Sequence, residues 1–380
     1  MYKIIIVDDE KGCQETLENL INNFPQFQIV AKTDNITDAQ KLINALKPHL
    51  IFLDIEMPEM NGIQFLETCR DLGIQIPVIV LSSVGKNRPE ITFKCLSLGA
   101  KDFIIKPSGS ISLDIDTVQQ EVISKIKFFY HSKHWDHKTD LKETIDKWTH
   151  KKEYISSESR DIDQTYCKTP PNKLSSVTIA DKIMRISSFE VLTIGISTGG
   201  PYALRRILPQ FPPDFPLPIV IVQHMPPNFT TEFAMGLNDI CQIPVKEAED
   251  NESMSNAKIY IAPGDHHILV NHINNRKVIT LSKAPPENNH RPSAEILFDS
   301  ATQVYHNRLI SVIMTGMGKD GARAIRRVHL NGGITFAQSE KTCVIYGMPK
   351  VAVELGGIDE ILDLDDIPKR IIEIVDRVSH

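Results

Sequence analysis

The chain alternates short apolar runs with segments of helical spacing, and this alternation occurs in two separate stretches. The apolar runs of the first stretch are KIIIV (3–7), QIV (28–30), LIFL (50–53), PVIVL (77–81) and DFII (102–105). Between them, apolar residues recur every three or four positions, as Leu17, Leu20, Ile21 and Phe24 do. Strands that alternate with helices form parallel sheets covered by helices on both faces. We therefore expect residues 1–128 to form a doubly wound α/β domain.

A polar segment, residues 129–187, interrupts the alternation and is rich in lysine and histidine. It ends in SSESRDIDQTYCKTPPNKLSS, a composition typical of linkers between domains. Leu141, Ile145 and Trp148 are spaced as on one face of a helix, so the linker is predicted to be partly helical. Apolar runs such as VLTI and LPIVIV resume after it, and residues 188–380 are predicted to form a second doubly wound α/β domain.

Length and composition limit the classes of function that fit this chain. Its 380 residues suit two domains. The net charge of −6 and the lack of a basic recognition helix after the linker argue against nucleic-acid binding. No apolar run approaches the roughly 18 residues of a membrane-spanning helix. The six cysteines show no CxxC pairing, so we expect reduced thiols in a cytoplasmic protein. We also expect a monomer without membrane insertion.

Acidic residues follow the strands of the first domain, at the edge where open parallel sheets bind ligands. Asp8 and Asp9 come directly after the first run, and Asp54 follows the third. Ser82 and Lys106 follow the fourth and fifth runs. Clustered carboxylates repel one another unless a hard cation such as Mg²⁺ lies between them. An aspartate beside Mg²⁺ is a plausible nucleophile for forming an acyl phosphate, whereas a single acid in such a place is usually a turn residue or a helix cap.

These features in this order, with MPEMNG (57–62) after Asp54, resemble the receiver domain of two-component response regulators across residues 1–128. The resemblance implies a flavodoxin-like fold in which Asp54 is phosphorylated. It further implies that Ser82 and Lys106 sense the phosphoryl group. The implied Mg²⁺ ligands are Asp8, Asp9, Asp54 and, through its backbone carbonyl, Glu56.

Ser197, His224 and Asp320 each lie just past a predicted strand of the second domain. Ser197 is the centre of GISTG (195–199), a Gly-x-Ser-x-Gly turn of the kind that exposes a hydroxyl. A serine nucleophile needs a base within hydrogen-bond reach, and the base needs an acid that orients it. Backbone amides near this turn and in TGMG (315–318) are suited to stabilising an oxyanion.

Other interpretations of these residues exist. The α/β-hydrolase fold orders its triad Ser…Asp…His, whereas His224 precedes Asp320 in this chain. A dinucleotide or phosphate loop needs G-x-G-x-x-G or a following Lys-Ser/Thr pair, and residues 195–200 offer neither. Two alternatives stay open from the residues alone: His224 as a structural core histidine, and Asp320 as the cap of a helix that starts near Gly321.

Five strings between 191 and about 350 resemble the catalytic domain of the chemotaxis-specific protein-glutamate methylesterases. The strings are IGISTGGP, VQHMPPNFT, IAPG, HRPSAEILFDS and VIMTGMGKDGA. The resemblance implies a Rossmann-like α/β serine hydrolase domain that is not an α/β-hydrolase fold. Ser197 is then the nucleophile, His224 the general base and acid, and Asp320 the residue that orients His224. The implied pocket residues are Met317, through its oxyanion-binding amide, Thr198 and Arg291.

A receiver fused to such a domain is the architecture of that family. It implies phosphorylation-activated hydrolysis of glutamate methyl esters on methyl-accepting chemotaxis receptors, together with glutamine deamidation. A chemotaxis histidine kinase would be the phosphodonor, Mg²⁺ would bind only the receiver, and the catalytic domain would need no cofactor. A receiver-controlled serine hydrolase for another ester and a non-catalytic receptor-binding scaffold are the alternatives. The long Lys- and His-rich linker departs from the family pattern and leaves the docking of the domains open.

Overall fold

A computed structural model of the chain describes residues 1–57, 62–83, 89–106, 112–133, 178–274 and 276–379. The helix predicted around Leu141, both tryptophans, most of the MPEMNG turn and Pro107 lie outside these residues.

The first domain is a five-stranded parallel sheet in the order β2-β1-β3-β4-β5. Its strands are β1 (Tyr2–Val7), β2 (Phe27–Thr33), β3 (Leu50–Asp54), β4 (Val78–Ser83) and β5 (Asp102–Lys106). Its helices are α1 (Lys11–Asn22), α2 (Ile36–Leu46), α3 (Gly62–Asp71), α4 (Pro89–Ser97) and α5 (Ser112–Lys133). Each predicted apolar run coincides with a strand, which confirms the predicted fold class.

Alternate residues of β1 explain why helices cover both faces of this sheet. Successive side chains of a strand point to opposite faces. Ile5 and Val7 pack with residues of α2, α3 and α4, whereas Ile4 and Ile6 pack with residues of α1 and α5. All four side chains are fully buried. The sequence of a strand that is buried on both faces is a continuous apolar run, such as IIIV (4–7) in β1.

The second domain is built on a seven-stranded parallel sheet in the order β15-β14-β13-β6-β7-β10-β8. Its strands are β6 (Val191–Ile196), β7 (Pro218–Gln223), β8 (Val245–Glu247), β10 (Lys258–Ile261), β13 (Leu309–Ile313), β14 (Ile334–Gln338) and β15 (Glu360–Leu362). The helices of this domain are α6 (Ile179–Ile183), α7 (Gly200–Ile207), α8 (Phe229–Asn238), α9 (Ala294–Tyr305), α10 (Ala322–Leu330), α11 (Met348–Glu354) and α12 (Asp366–Ser379). This second parallel sheet is also as predicted.

Three strands of this domain lie outside the parallel sheet. The antiparallel strands are β9 (Glu252–Ser253), β11 (His267–Ile273) and β12 (Arg276–Ser282), in the order β11-β12-β9. From the sequence, the apolar runs of β11 and β12, HILV (267–270) and KVITL (277–281), were counted in the βα alternation. The chain between β11 and β12 is too short for the crossover helix that parallel strands need, so the two strands pair as a hairpin.

The predicted linker meets folded structure at both of its ends. Helix α5 continues to Lys133, beyond residue 128. At the other end, Thr178 caps α6 by accepting a hydrogen bond from the Asp181 amide. Ile186 is buried in the core of the second domain. Residues 134–177 are not described.

The two domains meet through aromatic side chains. Phe93 of α4 lies 5.5 Å from Phe233 of α8, and Phe103 of β5 stacks on Phe229 at 6.0 Å, both between ring centroids. Phe128 of α5 contacts Tyr202 of α7 at 5.5 Å. The α4, β5 and α5 face of the first domain therefore packs on the second. Within the described ranges, no helix is long and apolar enough to cross a membrane.

Candidate functional site

Ser197, His224 and Asp320 lie at the carboxyl edge of three adjacent strands, in the order β13-β6-β7. Strand β6 leads into Ser197, β7 leads into His224, and the loop after β13 contains Asp320. After β6 the chain continues to β7, which pairs with one side of β6, and β13, later in the chain, pairs with the other side of β6. This topological switch point is where open α/β sheets leave a crevice for ligands.

The turn that holds Ser197 is fixed by backbone hydrogen bonds. The Ser197 amide donates to the Thr315 carbonyl at 2.9 Å, and the Ser197 carbonyl accepts from the Gly200 amide at 2.8 Å. Gly199 adopts a φ of +83°, which allows α7 to begin directly after the serine. A side chain at Gly316 would place its Cβ 2.7 Å from the Cβ of Ser197, so only glycine lets the 315–318 loop approach this closely.

His224 and Asp320 form a direct pair. The His224 Nε2 atom lies 2.8 Å from Asp320 Oδ2, and both side chains are almost completely buried. Because a carboxylate only accepts, Nε2 carries the proton in the neutral form of the His224 ring, and Nδ1 then carries the lone pair. Nδ1 is buried and has no hydrogen-bond partner among the described residues. It is therefore the atom of this pair that can accept a proton.

Four donors surround the Asp320 carboxylate. Oδ1 accepts from Ser293 Oγ at 2.6 Å and from Asn288 Nδ2 at 3.0 Å, and Oδ2 accepts from the Ala294 amide at 2.7 Å as well as from His224. Burial by itself raises the pKa of Asp320, but the hydrogen bond and charge of His224 and the bonds from Ser293 and Asn288 outweigh it. They lower the pKa to about 2. Asp320 is ionised at neutral pH, and α10 has no side-chain cap, so the capping alternative is not what the structure shows.

Ser197 and His224 face one cavity of about 140 Å³ at the junction of the two domains. The second domain contributes Ser197, Thr198, Gly199, Pro201, Gln223, His224, Met225 and Pro226, and the first contributes Asp102, Phe103, Ile105, Glu121 and Lys125. No hydrogen bond joins Ser197 to His224 in the described structure. Catalytic hydrogen bonds often tighten only when substrate binds. Residues of β5 and α5 thus form one wall of the cavity that contains the serine.

The predicted pocket residues fall into two groups. Thr198 lines the cavity, and the amides of Thr198 and Met317 donate no hydrogen bond within the part of the chain that the structure describes. Arg291 does not line this cavity. Its guanidinium pairs with Asp265 and donates to the carbonyls of Lys283 and Ala284 at 3.1 and 3.0 Å. Arg291 therefore binds the loop that contains Lys283 and Ala284.

Sequence reasoning missed several residues that support this site. Gln223 donates through Nε2 to the carbonyls of Ser197 and His224 at 3.0 and 3.1 Å, which ties the two turns together. The His290 ring stacks on the His224 ring. Ser293 was readable as a helix N-cap, since its hydroxyl accepts from the Glu295 amide. Its contact with Asp320 had no sequence signal.

The carboxylates of Asp8, Asp9 and Asp54 form an acidic edge on the first domain, and this edge is equally compact. Ligand atoms of Asp8, Asp9 and Asp54 lie within 4.8 Å of one another. Lys106 Nζ lies 2.7 Å from Asp54 Oδ2 and 2.9 Å from Asp8 Oδ2. Burial by itself lowers the pKa of Lys106, but the hydrogen bonds and charges of Asp54 and Asp8 outweigh burial, and the net effect is a raised pKa. Lys106 is therefore a cation. Burial also raises the pKa of Asp8 despite Lys106. Such a cluster of oxygen ligands fits Mg²⁺, and the Glu56 amide orients Asp54 by donating to Oδ1 at 3.0 Å.

Ser82 makes a contact that sequence reasoning did not foresee. Its buried hydroxyl accepts from Thr92 Oγ1 of α4 at 2.9 Å. The residue after Thr92 is Phe93, which contacts Phe229 and Phe233 of the second domain. Ser82, at the carboxyl end of β4, is therefore linked through α4 to the domain junction.

The fold and both edges define a class: a response-regulator receiver joined to a methylesterase output domain. The family model of the response regulator receiver domain matches residues 4–115, and that of CheB methylesterase matches residues 192–371. The chain belongs to the CheB methylesterase family. The protein-glutamate methylesterase/protein-glutamine glutaminase of Treponema denticola is 39% identical, covering 96% of each chain. The enzyme of that name from Treponema pallidum is 36% identical, covering 96% of this chain and 94% of its own.

A solved structure of the Thermotoga maritima CheB methylesterase catalytic domain also matches. It is 44% identical, covers 50% of this chain and 100% of its own, and has a TM-score of 0.49.

Proposed function

We propose that this chain is a protein-glutamate methylesterase and protein-glutamine glutaminase that acts on chemotaxis receptors through Ser197, His224 and Asp320. One observation carries the proposal. The ionised Asp320 binds His224 Nε2, which leaves the Nδ1 lone pair as the proton acceptor on the base that shares a cavity with Ser197. This is the charge arrangement that activates a serine hydroxyl.

The first half of the reaction forms an acyl-enzyme. Ser197 Oγ attacks the γ-carbonyl carbon of a methylated glutamate as its proton passes to His224 Nδ1. Asp320 stabilises the imidazolium that results. The amides of Thr198 and Met317 are free to bind the oxyanion, and one such donor is worth about 100- to 1000-fold in rate. The intermediate collapses, and His224 returns the proton to the leaving methoxide, which departs as methanol.

The second half releases the product. Water attacks the Ser197 ester and gives a proton to His224, which then returns it to Ser197 Oγ. The receptor glutamate leaves as a carboxylic acid, which then loses its proton to water. With a glutamine substrate the same steps release ammonia in place of methanol.

Asp54 is the proposed phosphorylation site, with a histidine kinase as the donor. A carboxylate oxygen of Asp54 forms a bond to phosphorus as the P–N bond of a phosphohistidine breaks. Asp8, Asp9, Asp54 and the Glu56 carbonyl are suited to holding Mg²⁺, which when bound offsets the charge of the carboxylates and phosphoryl oxygens. Lys106 already contacts Asp54 and would pair with the new phosphoryl group.

The same contacts suggest how phosphorylation activates hydrolysis. Residues of β5 and α5 line one side of the cavity that contains Ser197. This face of the first domain must therefore move before a receptor glutamate can reach Ser197. Ser82 now accepts from Thr92 and can donate its own proton to a phosphoryl oxygen on Asp54; turning towards that oxygen would pull Ser82 away from Thr92 and shift α4. Phe93 would move with α4 and loosen the aromatic contact with Phe233.

The direct test is methanol release from membranes that contain methyl-esterified chemoreceptors. Wild type, Ser197→Ala and the control Ser255→Ala, at an exposed position, are compared, each with and without Mg²⁺ and a small phosphodonor. We expect release from wild type and Ser255→Ala to rise with the phosphodonor. Release should fall by about 10⁴-fold or more in Ser197→Ala. No release from wild type under any condition would refute the proposed activity and favour a receptor-binding scaffold, whereas turnover of simple esters alone would indicate another substrate.

A further inference from the structure

We propose that His290 is a positioning residue for the general base: its ring fixes the plane of His224, so that Nδ1 stays directed at Ser197 while Nε2 stays on Asp320. This inference rests on the proposed function and adds a residue to its machinery.

The geometry of the two rings carries the inference. Their centroids lie 3.8 Å apart and their planes differ by 12°, so His290 covers one face of His224. The hydrogen bond to Asp320 holds one atom of the His224 ring but permits rotation about that contact. Nδ1 has no hydrogen-bond partner among the described residues that would define the ring plane. A flat group packed against one face supplies that constraint.

His290 is itself held by a tight turn. Its amide and carbonyl form two hydrogen bonds with Glu287, at 2.9 and 3.1 Å. The same turn contributes Asn288, which donates to Asp320, and three residues after His290, Ser293 does the same. One short segment therefore supports both members of the His224–Asp320 pair.

The charge of His290 suits this position. Burial, followed by the nearby His224, lowers the pKa of His290 to about 4, so its ring is neutral at neutral pH. When His224 takes the serine proton it becomes a cation that faces a neutral aromatic ring instead of a second cation. Aromatic faces attract cations at this range.

The location of His290 separates positioning from direct participation. It does not line the cavity that contains Ser197 within the described structure, whereas His224 does. His290 therefore acts through His224 and not on the reacting atoms. A displaced base costs rate without weakening substrate binding, and misplacement by about 1 Å can cost about 100-fold.

The test uses full-length protein activated with a small phosphodonor and measures methanol release. The variants are His290→Ala, which removes the ring, His290→Phe, which keeps a flat ring without nitrogens, and the exposed control His272→Ala. We expect His290→Ala to lower kcat by about 10- to 100-fold with KM within about 3-fold. His290→Phe should recover most of the rate, and His272→Ala should match wild type. A wild-type kcat in His290→Ala, or a His290→Phe rate as low as that of His290→Ala, would overturn the inference.

A second measurement does not depend on the substrate. Nitrogen-15 NMR of the histidine rings reports the tautomer and exchange of His224. We expect one Nε2-protonated form in wild type and His290→Phe, and exchange broadening in His290→Ala. An unchanged His224 signal in a folded His290→Ala protein would refute positioning. Failure of wild type to release methanol would instead refute the proposed function, and the NMR result would still decide the role of His290.

Discussion

The two domains place polar residues at the same kind of sheet edge but balance charge there in opposite ways. At the first edge, ligand atoms of three carboxylates lie within 4.8 Å of one another, and the buried cation Lys106 pairs with two of them, Asp8 and Asp54. At the second, a single carboxylate, Asp320, is surrounded by four donors and faces a neutral serine across a histidine. The first edge has negative charge in excess, and the second has its charge fully satisfied.

This difference separates binding from proton transfer. An excess of carboxylates makes a site that gains from a cation or from a change in charge, which suits a switch. A satisfied carboxylate keeps a low pKa and holds the adjacent base in one tautomer, which suits repeated catalysis. The shared fold supplies the edge, and the local balance of charge decides its use.

Removing the charge of the satisfied carboxylate should have the strongest consequence. Asp320→Asn should lower kcat for methanol release by about 10³- to 10⁴-fold, because an amide neither stabilises the imidazolium nor maintains the His224 tautomer. The control is Asp365→Asn, whose half-exposed carboxylate pairs with Arg206 on the surface. A rate within about 10-fold of wild type would show that Asp320 does not orient the base.

The same carboxylate should make stability depend on pH. Its folded-state pKa is depressed from 3.8 to about 2, so its contribution is present above pH 3.8 and is lost as the pH falls towards 2. The shift corresponds to about 2 kcal/mol. Urea unfolding between about pH 5 and pH 2 should show a smaller acid loss in Asp320→Asn than in wild type. Equal slopes would mean that the carboxylate is not specially stabilised.

A substitution at the domain junction should change the rate of methanol release by a smaller factor. Phe128→Ala removes an aromatic contact with Tyr202, which is worth about 1 kcal/mol. Basal methanol release without phosphodonor should rise by up to about 10-fold, and the gain should shrink when phosphodonor is added. Leu72→Ala, at an exposed position of the first domain, is the control. Unchanged basal release in Phe128→Ala would argue against closure of the cavity by this face.

The weakest response is expected at the acidic edge. Lys106→Met removes the cation that competes for Asp8 and Asp54, so Mg²⁺ should bind several-fold more tightly in calorimetric titrations. Lys94→Met changes an exposed lysine of α4 and should leave affinity unchanged. Weaker Mg²⁺ binding in Lys106→Met would mean that Lys106 organises the carboxylates instead of competing with the ion.

Particular elements show how far sequence reasoning reaches. The run IIIV in β1 predicted a strand buried on both faces, and the residues after each run predicted which side chains share an edge. The pairing of Arg291 with Asp265 and the hairpin of β11 and β12 were not read from the sequence. Both depend on how loops fold back, which local periodicity does not encode.

The amino-acid pattern was sufficient to define two parallel α/β domains and to place Ser197, His224 and Asp320 at strand ends, because period and strand order follow from short-range patterns. Folding in three dimensions set what surrounds these side chains. The segment 288–294, which supplies His290 and three donors to Asp320, and the wall formed by β5 and α5 are both far from Ser197 in the chain. Their contacts arise from packing, which brings distant loops together at distances that no spacing in the sequence specifies.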